Sequence, residues 1–378
     1  MNGRRTSTRA SVVETQSAAI AGAATLGQLG RYRLIKSLGV GGQAEVFKAR
    51  YSGPGGFERT VVVKRILPAN CEDPEFIRMF AAEARILGML HHPNVVQAYD
   101  VGESDGTLFL VLEYVDGPSL GRLMRALRNA KRPIAPAFAA HFALQVCRAL
   151  DYVHRLCDSD GVPLNVIHRD VTPSNIVLTS TGSAKLLDFG IAKYGSSEVE
   201  TRHRSVKGKP AYVAPEAIEG RPFDARVDLF SVGVVLHEML TLSSLFGADH
   251  ELAVLHKVLE MPIRAPSETR PDVPPALDEI VMKALQRDPA LRYASAAEMA
   301  RDLDAFVVGA HLHLEDVVAF LRGVEPLLNA PPPSIAALRA AAVGTMATDP
   351  AAPTTKRDLV HRLRMSPLGR LLFGRERQ

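Results

Sequence analysis

Four short stretches of this chain carry residue types suited to phosphate chemistry. "GVGGQAEV", Gly39 to Val46, is a loop with few side chains, so its backbone N–H groups can lie close over a phosphate. "VVVK", ending at Lys64, adds a cation on the next apolar run. "HRDVTPSN", His168 to Asn175, sets Asp170 and Asn175 five residues apart, and "LLDFG" adds Asp188 further on. Carboxylates and carboxamides of this kind hold or move a proton and offer oxygens to a hard cation. Taken singly, each stretch has a plainer reading as a hairpin turn or a surface salt bridge. Their occurrence in order on one chain is what gives them weight.

Such residues need elements to hold them. "YRLIKSLG" and "EVFKARY" read as strands flanking the glycine turn, and "RTVVVKRIL" is a β-branched run of buried-strand type. "DPEFIRMFAAEARILGML" has Phe76, Phe80, Ala84 and Leu87 at helical spacing after Asp73-Pro74, the pattern of a helix start. "VVQAYDVGES" and "TLFLVLEYV", separated by the turn residues Ser104 to Gly106, complete a small sheet. Beyond Gly117 long helices take over. In one, Phe138, Phe142, Val146, Leu150 and Val153 share a face after Pro136; "VDLFSVGVVLHEMLT" is apolar almost all round and so reads as central. "ALDEIVMKALQRD" is a further helix, and no internal repeat is visible. The expected fold class is α+β, with a small antiparallel β-sheet lobe carrying one main helix and a larger, mainly helical lobe.

Composition excludes several classes. At 378 residues, with 47% hydrophobic and 23% charged residues, the chain is an ordinary globular one, and no apolar run is long enough to span a membrane. Cys71, Cys147 and Cys157 are odd in number and lack C-x-x-C spacing, which argues against a disulfide framework or zinc site and suits a reducing cytoplasm. "RRTSTR" near the start is not followed by a strongly apolar segment, so no export signal is expected. Of the net charge of +4, a surplus of five lies in residues 356–378, which hold seven Lys/Arg against two Asp/Glu. The rest is close to neutral, so no nucleic acid is expected as a partner.

Two further motifs, "VAPE" ending at Glu216 and "RDPALRY" containing Arg292, follow in order. Together these motifs resemble the signature set of Hanks-type protein kinases of the bacterial Ser/Thr class, over roughly residues 31 to 310. The resemblance implies a two-lobed fold and a protein Ser/Thr kinase that uses ATP and Mg²⁺. It implies that Lys64 holds the α- and β-phosphates and pairs with Glu83, that Asp170 orients and deprotonates the acceptor hydroxyl, and that Asn175 and Asp188 bind Mg²⁺. One Asn and one Asp are too few for a closed metal cage, so the cation is expected to arrive with the nucleotide. Asp228 would hold the catalytic loop's backbone, and Arg292 would bury against Glu216.

Leu38, Gly39, Val40, Gly41, Gly42, Gln43 and Ala44 would cover the nucleotide. Adenine would lie between Val46 and Val62 above and Val177 below, with the backbone of Glu113 to Val115 along its edge and Leu112 as gatekeeper. Ala44 replaces the usual third glycine, and Val62 stands where the family usually has Ala, which implies a tighter ceiling.

The domain reading is a flexible arm over 1–30, a kinase N-lobe over 31–115, a C-lobe over 116–310 and a helical extension over 311–325. A Pro/Ala-rich linker over 326–355 and a basic tail over 356–378 complete it. The tail's Leu359, Leu363, Leu371 and Leu372 raise a basic amphipathic helix for a partner or membrane surface as an alternative, but Ser366-Pro367 interrupts it, and a solvated tail is the preferred reading.

Two departures stand beside the catalytic Asp. Thr172 occupies the place of the family's usual lysine, and Lys209, in "GKPAYVAPE", that of its usual threonine. The two side-chain types have exchanged positions, so Lys209 is expected to reach Asp170 and the γ-phosphate. The same departures make a pseudokinase or nucleotide-binding scaffold the competing reading, against which Lys64, Glu83, Asp170, Asn175 and Asp188 are all present. A small-molecule phosphotransferase is disfavoured by the long segment 191–215, the platform for a peptide. Because Arg169 precedes Asp170, the resemblance also implies phosphorylation of the activation segment, at Ser205 or Thr201, by autophosphorylation through a transient homodimer.

Overall fold

In the computed structural model, which describes residues 26–41, 44–188 and 209–329, the alternating apolar runs fold as a six-stranded antiparallel sheet. Its strands are β1 (Gly27–Leu29), β2 (Tyr32–Val40), β3 (Ala44–Ser52), β4 (Glu58–Ile66), β5 (Ala98–Ser104) and β6 (Thr107–Glu113), in the order β1-β2-β3-β4-β6-β5. The period of two sends Leu34, Phe47, Ala49, Val61, Val63, Phe109 and Val111 into one core with Leu29 and Tyr32. It leaves Val46, Lys48, Val62 and Lys64 on the opposite face. The register sets Val46 opposite Lys64 and Lys64 opposite Leu110; in the next row Lys48 faces Val62 and Val62 faces Leu112.

Residues 27–29, expected to belong to the N-terminal arm, form a strand instead. Gly27 to Leu29 pair with β2 because Gly30, at φ 51, lets the chain reverse, and Leu29 then enters the core at 5% exposure.

Among the described residues this unit also holds two α-helices, α1 (Pro68–Cys71) and α2 (Pro74–Met89). Asp73 caps α2 by accepting from Glu75 N at 2.9 Å. Phe76, Phe80 and Leu87 are buried as their spacing predicts, but the fourth buried position is Glu83, while Ala84 is half-buried.

A second compact unit starts at Asp116. It holds α3 (Leu120–Asn129), α4 (Pro136–His154), the hairpin β7 (Ile176–Leu178) and β8 (Ala184–Leu186), α5 (Pro215–Ile218), α6 (Arg226–Thr241), α7 (Glu251–Glu260), α8 (Pro266–Thr269), α9 (Pro275–Ala284), α10 (Ala296–Gly309) and α11 (Leu314–Asn329). Every residue of α6 from Val227 to Leu240 is buried, so the all-round apolar helix is the central one. α4 packs on both α6 and α10. Where the chain enters this unit, Gly117 passes so close to β7 that a Cβ there would overlap the Leu178 carbonyl; Leu178 N donates to Pro118 O at 3.0 Å.

α11 runs past the expected boundary at residue 325, through Pro326 to Asn329. Proline removes a helical hydrogen bond, but packing holds the turn. Val317, Leu321 and Val324 are buried, and the Phe320 and Phe138 rings lie 4.8 Å apart. Arg122 donates to Leu328 O at 2.8 Å.

All three cysteines are free thiols, and burial pushes that of Cys147 upward in pKa. Among the described residues, no helix is long and apolar enough to cross a membrane.

Candidate active site

In the first unit, Lys64 Nζ donates to Glu83 Oε1 at 3.2 Å. The pair joins β4 to α2 and explains why the helix buries a carboxylate: a buried charge persists only with a partner. Glu83 is 4% exposed. The glycine turn is closed by Gly41 N donating to Ala44 O at 2.8 Å, and Leu38 and Val40 stand exposed on the strand leading to it. Gly42 and Gln43 lie outside the described residues. Val46, Val62, Lys64 and Leu112 come together on two adjacent cross-strand rows, with Leu112 buried. Past Leu112 the chain stays tied to the sheet, since Glu113 N donates to Gln97 O at 2.8 Å. Lys48 lies over the Tyr114 ring, 4.1 Å from its centroid; Val115, half-buried, ends this unit.

In the second unit the loop from His168 to Asn175 is fixed from several sides. Asp228, on the first turn of α6, accepts from His168 N at 2.9 Å and Arg169 N at 2.8 Å. Burial by itself would raise the Asp228 carboxyl's pKa, but the hydrogen bonds from His154 and His168 N outweigh it, so the carboxyl stays below its usual range. This clamp supports Arg169 at φ 63, a conformation that non-glycine residues rarely adopt. On the far side, Gly121 N in α3 donates to Pro173 O at 2.7 Å. His168 is fully buried; its Nδ1 accepts from Asp170 N at 3.3 Å and its Nε2 donates to Leu187 O at 3.0 Å. Burial lowers its pKa, in keeping with a neutral ring.

The hairpin then brings the two expected cation ligands alongside each other. Asn175 precedes β7 and Asp188 follows β8; Ile176 pairs with Leu186, and Leu187 N donates to Asn175 O at 2.8 Å. Asn175 Nδ2 donates to Asp170 Oδ2 at 2.7 Å and to Asp170 O at 2.9 Å. The amide nitrogen is thus spent on Asp170, leaving Oδ1 as the acceptor end. Asp188 is held at φ 42, again left-handed for a non-glycine residue. Asn175 Oδ1 and the Asp188 carboxylate are hard oxygen donors of the kind that fit Mg²⁺. Val177, at 8% exposure, is fixed by the hairpin and by a bridge to Ser119.

Lys209 lies against the same loop, its Nζ donating to the Ser174 hydroxyl. Thr172 is buried at 3% exposure, with its carbonyl accepting from Asn175 N at 3.0 Å. Behind Lys209 the turn Pro210–Tyr212 is pinned to α6: Ser231 Oγ donates to Tyr212 O and Tyr212 OH donates to Glu238, both at 2.7 Å. Glu216 meets Arg292 in two bonds of 2.6 and 2.7 Å. Ser205 and Thr201 lie outside the described residues.

Sequence reasoning missed His154, whose Nε2 donates to Asp228 Oδ2 at 2.8 Å, and the contact of Ser174 with Lys209. Nothing in the local pattern signals either, because both partners are distant in sequence.

The protein kinase domain model matches residues 32–303. The tyrosine-protein kinase MasK of Myxococcus xanthus is 39% identical over 297 residues, covering 78% of this chain and 46% of MasK. The serine/threonine-protein kinase PknB of Mycolicibacterium smegmatis is 39% identical over 282 residues, 72% of this chain and 42% of PknB. The chain therefore matches less than half the length of these relatives. The crystal structure of the Mycobacterium tuberculosis PknI kinase domain superposes with a TM-score of 0.55 at 26% identity, covering 75% of this chain and 98% of that domain. With a family match across most of its length and the loop, hairpin and buried ion pair in place, the chain belongs to the protein kinase family, in its bacterial Hanks-type branch.

Proposed function

We propose that the chain is an ATP- and Mg²⁺-dependent protein kinase that phosphorylates Ser/Thr hydroxyls of protein substrates, itself included through a transient homodimer. The observation that carries this reading is the Asp170–Asn175 bond of 2.7 Å, in a loop whose backbone is held by the buried Asp228. It aims a carboxylate oxygen and a carboxamide oxygen from one rigid segment, the preorganisation phosphoryl transfer needs.

In this reading the glycine turn and Lys64 bind the phosphates, and Glu83 keeps the lysine in place. Val46, Val62, Leu112, Val177 and the backbone from Glu113 to Val115 take the adenine. Asn175 Oδ1 and the Asp188 carboxylate would hold Mg²⁺, which when bound would neutralise charge on the phosphates. Asp170 orients the acceptor hydroxyl and takes its proton. The acceptor oxygen bonds to the γ-phosphorus as the bond from that phosphorus to the bridging oxygen breaks, and ADP leaves. Ser205 or Thr201 is the site of self-modification, answering the charge of Arg169.

The test is transfer of labelled γ-phosphate to a generic basic protein and to the chain, with Asp170→Asn as control. Transfer abolished by that substitution supports the reading, and labelled nucleotide binding without transfer by the unaltered chain overturns it in favour of a scaffold. The similarity to MasK, whose name is that of a tyrosine kinase, favours a second reading with a tyrosine acceptor. Pro173 after Thr172 resembles the Ser/Thr class instead. Phosphoamino-acid analysis separates the two.

A further inference from the structure

Between Asp170 and Asn175 the loop offers Val171, Thr172, Pro173 and Ser174, and no cation. The phosphoryl group in transit is negative, and Asp170 and Asp188 are carboxylates, so a nearby positive charge would stabilise the transition state. Thr172 is buried and short. Lys209 is exposed, reaches the loop at Ser174, and is anchored at its base through Tyr212 to the buried helix α6. Its ammonium is a compact charge on a flexible stem, able to exchange one oxygen partner for another. Arg169 is differently occupied, with its guanidinium over the Phe223 ring, 5.4 Å from the centroid.

We infer that Lys209 is a catalytic residue, with the Ser174 hydroxyl as its resting partner. When nucleotide and acceptor are bound, the ammonium leaves Ser174 for an oxygen of the phosphoryl group being transferred. It supplies from the segment before Pro210 the charge that the loop itself lacks at Thr172. No proton or bond changes hands at Lys209; its contribution is charge alone. The assignment rests on the kinase reading given above.

The experiment uses the full chain. Lys209→Met is compared with the unaltered protein for kcat, for affinity toward MgADP, and for affinity toward MgADP with aluminium fluoride, a mimic of the planar phosphoryl group. The expected result is a fall in kcat of about 10- to 1000-fold, with the mimic weakened by a similar factor and MgADP unchanged. Equal weakening of both complexes, or of neither, overturns the assignment. Ser174→Ala should lose far less than Lys209→Met; an equal loss would make the lysine a tether for the loop and not a catalytic group. Thr172→Lys added to Lys209→Thr should restore part of the rate, provided thermal melting shows the double variant folded, and independent, additive losses would count against the exchange. If the unaltered chain transfers no phosphate, the kinase reading falls first and this assignment with it. If it transfers phosphate and Lys209→Met matches it, only this assignment falls.

Discussion

The guanidinium of Arg292 and the carboxylate of Glu216, 76 residues apart, form two parallel hydrogen bonds at essentially zero exposure. Arg292 spends its remaining donors on the carbonyls of Gln286, Arg287 and Arg226. Removing either partner leaves an uncompensated buried charge, so Arg292→Ala or Glu216→Gln should each destabilise the fold by about 3–5 kcal/mol. Replacing both with apolar residues should cost less than the sum. Urea unfolding of the singles and the double variant checks this.

Lys64 and Glu83 are expected to divide their effects differently from Asp170. Lys64→Met should weaken nucleotide affinity and lower turnover. Asp170→Asn should lose about 100- to 1000-fold in kcat while leaving nucleotide affinity near that of the unaltered chain, since the side chain acts on the acceptor. Calorimetry with an ATP analogue beside steady-state kinetics distinguishes the two patterns.

Asp228 is fully buried and clamps two backbone N–H groups of the loop. Asp228→Asn puts a donor where an acceptor is needed. The expected result is a fall in kcat with little change in nucleotide affinity. A loss of nucleotide affinity equal to the loss of kcat would contradict the clamp.

His168 sets an acid limit. Burial holds its folded pKa below the ordinary 6.5, and that of His141 and His237 likewise. As pH falls, the unfolded chain therefore takes up protons first; the stability is fully present above about 6.5 and declines as pH drops through the folded values. Unfolding free energy measured from pH 8 to pH 5 should bend downward below about 6.5, and His168→Gln should flatten part of that bend. A level profile over this range would count against a buried neutral ring.

Val62 shares a cross-strand row with Leu112. Shortening it in Val62→Ala should tighten binding of bulky ATP-competitive inhibitors by about tenfold, one or two methyl groups' worth of room. Unchanged inhibitor affinities would show that the extra bulk does not narrow the ceiling.

The sequence was most readable where several weak signals ran in series. The sheet, α2, the long α4 and the central α6 all follow from apolar period, and Lys64, Asp170, Asn175 and Asp188 stood out through motif order. Elements whose formation depends on distant packing were less readable. β1 is too short to show alternation and exists because Leu29 fills a core made by other strands. α11 passes a proline because Phe138 and Arg122 hold it. On α2 the apolar stripe suggested Ala84, but the presence of Lys64 on β4 turns Glu83 inward instead. The bond from Lys209 to Ser174 has no local signature, since it joins two surface residues whose proximity only the folded chain creates.

Gly117 carries a consequence for how this gene can vary. Its backbone lies against the Leu178 carbonyl with no room for even a methyl group. A change at either of the first two bases of a glycine codon always replaces the glycine, so half-measures are not available at this position. In a saturation library selected for function, codon 117 should therefore retain only synonymous third-base changes, while a nearby exposed position such as Asp116 admits many residues. The crossing of two backbones would appear in such data as a sharp line of purifying selection one residue wide, with no chemistry of its own to account for it.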